Sequence, residues 1–181
     1  MSLSGSRRLG GPRQRGPQPV DAEDLDAAAA MAQHLLAVTD RSRVELRRRL
    51  EQRGYAPATA VAAVDALASR GWVDDDRLAA DLAQRQLSRG YGRRRVLADL
   101  VARGVEPETV SRTAEGLREG QAEAVRIAAE RLRPHHPGPI TQPEVRRLAA
   151  ALQRRGFDAS DIRAELRRLA TADLSAPDEE A

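Results

Sequence analysis

The chain contains no cysteine and no lysine, and aromatic residues make up only 2% of its 181 positions. Without cysteine there is no disulfide framework and no thiolate metal site. With so few aromatics, the core must come from Ala, Leu and Val, which favours thin helix–helix packing over a thick β-sandwich. No apolar run approaches transmembrane length, and the N-terminus lacks the apolar stretch of a signal peptide. A reducing, cytoplasmic setting with no membrane partner is expected.

Apolar residues reach 41% and charged residues 31%, the balance of a folded chain. The net charge is +3, with all 30 basic residues arginine, and it is unevenly placed. Residues 1–20 hold four arginines and no acid among Gly, Pro and Ser, and read as a disordered basic arm. The stretch from Asp173 onward holds four acids and no base, and residues 172–181 read as an acidic disordered tail.

Between these arms lies an internal repeat, visible when Gly54, Gly104 and Gly156 are superposed. Four positions before each stands a leucine (Leu50, Leu100, Leu152), and eight before stands Leu46, Val96 or Leu148. Arg53, Arg103 and Arg155 immediately precede the glycines, and Tyr55, Val105 and Phe157 come directly after them. Positions four apart share a helix face, so each copy ends a helix at a glycine corner and begins another. Pro57 and Pro107 suit a first helical position, and Asp158 suits an N-cap. The buried stripe of the second helix is expected at Val61, Val64 and Leu67, then Val110, Ala114 and Leu117, then Ile162, Leu166 and Leu169.

A further helix precedes each pair: roughly Leu25 to Val38, a second after Asp74–Asp76, and a third over about Glu119 to Arg133. Ser42-x-x-Glu45 and Thr141-x-x-Glu144 read as capping boxes. No alternating β pattern occurs. The expected fold is all-α, three tandem three-helix repeats in an elongated, curved array with hinge-like junctions. The repeats are assigned to 21–72, 73–118 and 119–171.

Little in the sequence points to catalysis. His34 reads as a packed or half-exposed helix residue, and His135 and His136 sit between prolines with no ligand-like spacing around them. Asp74–Asp76 read as carboxylates at a helix N-terminus. Gly90-Tyr91-Gly92 lacks the lysine and preceding strand of a phosphate loop and reads as a corner. Catalytic residues, cofactors and metals are therefore all expected to be absent.

The strongest local feature surrounds that corner. Between positions 85 and 103 stand Arg85, Arg89, Arg93, Arg94, Arg95 and Arg103, opposed only by Asp99. Cations at a helix start oppose its dipole, which points to a partner there. Guanidinium groups suit carboxylates or phosphates equally. These six arginines and Tyr91 form the candidate partner-binding surface.

The stretch Gly71-Trp72-Val73-Asp74-Asp75-Asp76-Arg77-Leu78-Ala79 resembles a segment of the RecX regulators. Downstream, Arg85, Arg89, Gly90, Gly92, Arg94-Arg95-Val96, Leu100 and Arg103-Gly104-Val105 resemble the same family, as do Ser42, Glu45-Leu46, Leu50, Gly54 and Tyr55 upstream. The resemblance covers about 25–170 and is most specific at 71–105. It implies a cytoplasmic, non-enzymatic, monomeric helical array that binds the RecA–DNA filament. Such proteins inhibit RecA strand exchange, ATP hydrolysis and co-protease activity, and some bind single- or double-stranded DNA. The competing expectation is a sequence-independent DNA-binding protein acting without RecA.

Overall fold

A computed structural model describes residues 21–133 and 140–174, with side chains through Thr171. The basic arm, most of the acidic tail, and His135 and His136 lie outside the described residues.

Nine helices and no strand occur among the described residues. They are α1 (Leu25–Val38), α2 (Arg43–Glu51), α3 (Pro57–Ser69), α4 (Asp75–Ser88), α5 (Arg93–Ala102), α6 (Pro107–Gly116), α7 (Gln121–Leu132), α8 (Gln142–Arg154) and α9 (Ala159–Leu174). Extensive helix–helix packing occurs within three sets only, α1–α3, α4–α6 and α7–α9. We call these units 1, 2 and 3.

Local chemistry fixes where the helices begin. Ser42 opens α2 with both halves of the capping box, Glu45 N–H donating to its hydroxyl at 3.0 Å and its own N–H donating to Glu45 at 3.1 Å. The Asp74 carboxylate accepts from Arg77 N–H at 3.0 Å and caps α4, so Asp75 and Asp76 lie within its first turn. Pro57 and Pro107 each stand first in their helix, where the missing N–H costs nothing.

The helix ends share one pattern. Tyr55, Val105 and Phe157 donate their amides to Leu50, Leu100 and Leu152, and each corner glycine donates to the carbonyl three residues back. These are Schellman closures. The glycine must adopt positive φ, and the apolar residue after it folds onto the last turn; φ is 71° at Gly104 and 86° at Gly156. Phe157 is fully buried, and Tyr55 and Val105 nearly so.

Each unit has its own core. Unit 1 packs Ala28 and Ala32 of α1 against Ala60, Ala63, Val64 and Leu67 of α3, with Leu46 and Leu50 of α2 closing the cluster. Unit 2 gathers Leu78, Leu82, Val96, Leu100, Val105 and Leu117. Unit 3 gathers Val125, Leu148, Leu152, Phe157, Ile162 and Leu169. Leu87 packs against the cores of both units 2 and 3.

One expectation about the core is corrected. Val61 is 37% exposed, and the fully buried residue is its neighbour Ala60. Ala60 stands six positions after the corner glycine, the register of Val110 and Ile162 in the other units. Alanines on both α1 and α3 let the two helices approach closely, and that contact selects the smaller side chain. His34 is exposed on α1 rather than packed.

Candidate partner-binding surface

The expected surface lies at the junction of units 2 and 3, and much of it is spent holding that junction together. Gly92, the N-cap of α5, donates its amide to Arg155 carbonyl at 2.8 Å, and Arg94 donates to Gly156 carbonyl at 3.0 Å. Arg93 donates its own amide to the Gln121 side chain at 3.0 Å. Its guanidinium is 2.9 Å from the Asp158 carboxylate, with both side chains about one-quarter exposed. The first turn of α5 thus receives carbonyls from the end of α8 and a carboxylate from the start of α9. The helix dipole of α8 offsets the cations that would otherwise destabilise the start of α5.

Contact at this junction leaves no room for a side chain. A Cβ on Gly92 would fall within 2.4–2.5 Å of Gly156 and Phe157 backbone, and one on Gly156 within 2.5 Å of Arg95. Tyr91 is half-buried, and the Arg95 and Arg155 guanidinium groups stand over its ring at 5.8 and 5.7 Å from the centroid. Arg155 also reaches the Gly90 carbonyl at 3.4 Å, and Arg131 reaches the Ser88 carbonyl at 3.1 Å.

The junction of units 1 and 2 repeats three of these contacts. Ser42, the N-cap of α2, donates its hydroxyl to Arg103 carbonyl at 2.5 Å, as Gly92 donates to Arg155 carbonyl. Arg43 donates its amide to Asp75, the first residue of α4, at 3.0 Å, as Arg93 donates to Gln121, the first residue of α7. Gly104 meets Val44 where Gly156 meets Arg95. The Arg103 guanidinium stands 3.5 Å from Glu45. In both cases the corner closing one middle helix abuts the start of the preceding unit's middle helix, so α8, α5 and α2 are joined end to end.

The seven expected site residues therefore divide. Arg93 and Arg103 pair with carboxylates across the junctions, Arg95 pairs with Asp99 at 3.4 Å, and the Tyr91 ring is contacted by two arginines. Arg85, Arg89 and Arg94 are exposed, and their side chains form no ion pair among the described residues. Sequence reasoning missed the junction itself. Its signal was a small residue twelve positions before the corner glycine, Ser42 in one unit and Gly92 in the next.

An open cleft of about 370 Å³ lies between units 1 and 2, lined by Arg43, Asp74, Asp75, Asp76, Thr109 and Arg112 among others. Its three aspartates are committed to local bonds. Asp76 accepts from Arg112 at 2.5 Å and from Thr109 at 2.9 Å, and the Arg112 hydrogen bond chiefly holds its pKa below the ordinary value. The Asp75 pKa is raised, because burial outweighs the Arg43 amide hydrogen bond. Among the described residues no His, Cys, Asp and Glu group has a metal-binding arrangement, and no helix is long and apolar enough to cross a membrane.

Comparison with known proteins agrees with this architecture. The family model for the first three-helix domain of RecX matches residues 28–75, and that for the second matches 74–113. A regulatory protein RecX of Xanthomonas oryzae pv. oryzae is 39% identical over 133 residues, spanning 74% of this chain and 82% of its own. One from Chromohalobacter salexigens is 38% identical over 130 residues, spanning 71% and 84%. The crystal structure of RecX from Lactobacillus salivarius superposes with a TM-score of 0.73 at 16% identity, covering 83% of this chain and 99% of that one; at that identity it speaks for the fold. The repeated corners, the closely packed junctions and these relatives together place the chain in the RecX family of regulatory proteins.

Proposed function

We propose that this chain is a cytoplasmic, non-enzymatic regulator that binds the RecA–DNA filament and lowers RecA activity. The observation that carries the reading is membership of a family of regulatory proteins, at 39% identity over most of the chain. The architecture supports it. Three small units joined end to end offer length rather than an enclosed pocket, and length suits contact with several neighbouring subunits of a filament. The exposed guanidinium groups of Arg85, Arg89 and Arg94 are the part of the expected surface available to that partner, with Tyr91, Arg93, Arg95 and Arg103 holding the frame behind them.

RecA-dependent ATP hydrolysis on single-stranded DNA, measured with and without the protein, tests the reading. Hydrolysis should fall as protein is added. An Arg85→Glu/Arg89→Glu/Arg94→Glu variant, folded as judged by circular dichroism, should need at least about tenfold more protein for the same effect, the scale of losing several charge-assisted contacts. Unchanged hydrolysis at every concentration of the unaltered protein would remove the proposal.

A further inference from the structure

Unit 1 carries its charge and its exposed apolar groups unevenly. Residues 21–40, which include all of α1, hold five carboxylates and no arginine, and α3 adds Asp65 and no base. Of the large apolar side chains left exposed among the described residues, Leu25 and Val38 lie on α1, Val61 on α3 and Trp72 on the α3–α4 connection, with Val101 alone elsewhere. Trp72 is 53% exposed, and tryptophan is enriched among the side chains that anchor interfaces.

The setting of Trp72 selects what can cover it. It lines a shallow niche with Asp40 and Arg41 from unit 1 and with Asp74, Arg77 and Asp81 from unit 2. Asp74 is occupied in capping α4. Asp40 and Asp81 are exposed, and their carboxylates form no hydrogen bond or ion pair among the described residues. An aromatic face beside unpaired carboxylates is the chemistry that receives a guanidinium, which the ring attracts over its face while the carboxylates accept its N–H groups. Neither Arg41 nor Arg77 stands over the Trp72 ring; the guanidinium–ring contacts among the described residues are both at Tyr91.

A source of guanidinium groups is tethered within reach. Residues 1–20 hold Arg7, Arg8, Arg13 and Arg15 with no acid. They join the fold at Asp21, and the Ala22 carbonyl is fixed at the start of α3, accepting Ala56 N–H at 2.8 Å. From there α1 runs beside α3 towards the niche, about 21 Å for its 14 residues. Arg15 and Arg13 stand six and eight positions before Asp21, about 20 and 27 Å of extended chain. The two lengths match. Pro12, Pro17 and Pro19 flank these arginines, and proline-bearing segments suit exposed aromatic rings because they are already extended before they dock.

We propose that residues 12–20 lie along α1 and seat Arg13 and Arg15 at Trp72, between the Asp40 and Asp81 carboxylates. Because the niche takes residues from units 1 and 2, the seated arm touches both sides of their junction. Its seating goes beyond the RecA reading and is tested without RecA, so either can fail alone.

Trp72 is the only tryptophan, so tryptophan emission of the full chain reports on this niche. Acrylamide is a neutral quencher and measures access to the ring without responding to nearby charge. Arg13→Glu/Arg15→Glu should raise the quenching constant by about twofold or more, the scale of losing a cation–π contact, and shift emission to the red. Asp40→Asn/Asp81→Asn should do the same with the arm unaltered, and its circular dichroism should be unchanged because neither carboxylate is bonded within the fold. In about 1 M salt, where the screening length falls to about 3 Å, the unaltered chain should approach both variants. Equal quenching of the unaltered chain and the arm variant would overturn the proposal. So would a difference that the Asp40/Asp81 pair fails to reproduce, or shielding that grows with protein concentration, which would put a second copy on Trp72.

Discussion

Asp75 and Gln121 hold equivalent places, each the first residue of a unit's first helix and each accepting the leading amide of the preceding unit's middle helix. They differ in that one can ionise. Burial raises the Asp75 pKa, with repulsion from Glu106 and Asp74 adding to the effect and the Arg43 amide and charge opposing it. A carboxyl whose folded value lies above its unfolded value is penalised when it ionises. Its contribution to stability is therefore greatest below the unfolded range and declines as pH rises through the raised folded value. Asp75→Asn keeps an acceptor for the Arg43 amide and removes the ionisation. The variant should melt above the unaltered protein at neutral pH, and the gap should close as pH falls through the carboxylate range near about 4. A pH series of thermal midpoints for the two proteins checks this. A variant that melts lower at neutral pH, or a gap that widens with acid, would show that the negative charge stabilises the junction.

The helices themselves are largely legible in the sequence because each is punctuated by residues with one dominant use. Glycine closes the corners, proline and serine open helices, and Leu or Val recurs at the fourth position. Alanine carries no such signal, which is why the expected stripe on α3 falls one residue late, at Val61 instead of Ala60. The junctions are harder still. Their acceptors are the main-chain carbonyls of Arg103, Arg155 and Gly156, groups every residue possesses. Half of the arginine cluster at 85–103 consequently looks free in the sequence and is engaged in the fold. The two capping boxes separate what a cap contributes from what a junction contributes. Ser42 is fully buried and serves both α2 and the Arg103 carbonyl. Thr141 is exposed and bonds locally, its amide and hydroxyl donating to Glu144 at 2.8 and 2.7 Å. Thr141→Ala should cost about 1 kcal/mol, the usual loss of an N-cap. Ser42→Ala should cost about 2 kcal/mol, because the Arg103 carbonyl also loses its donor. Urea denaturation of the two variants measures the difference, and equal losses would mean that the inter-unit hydrogen bond contributes nothing.

At the scale of the molecule, the absence of a shared core decides how stability is distributed. Units 1 and 2 meet through capped helix ends, the Arg103–Glu45 ion pair and the Gly104–Val44 contact, with no residue common to their hydrophobic clusters. Units 2 and 3 add Leu87, which packs into both clusters, and a junction with two backbone–backbone hydrogen bonds. Chains of this kind are stabilised by each unit plus its nearest-neighbour contacts. Disturbance of one unit should then travel unequally across the two junctions. Leu50 is fully buried in unit 1, and Leu50→Ala should remove about 3 kcal/mol there. Amide exchange should accelerate in α1–α3 while protection in α7–α9 stays nearly unchanged. Leu87→Ala removes a contact shared by two units, so it should accelerate exchange in α4–α6 and α7–α9 together and leave α1–α3 close to the unaltered protein. Hydrogen exchange with fragment resolution distinguishes this from a chain that unfolds as one cooperative body, in which both substitutions would lower protection everywhere by the same amount. A loose first junction and a tight second one would let unit 1 reorient on a partner while units 2 and 3 move as a pair.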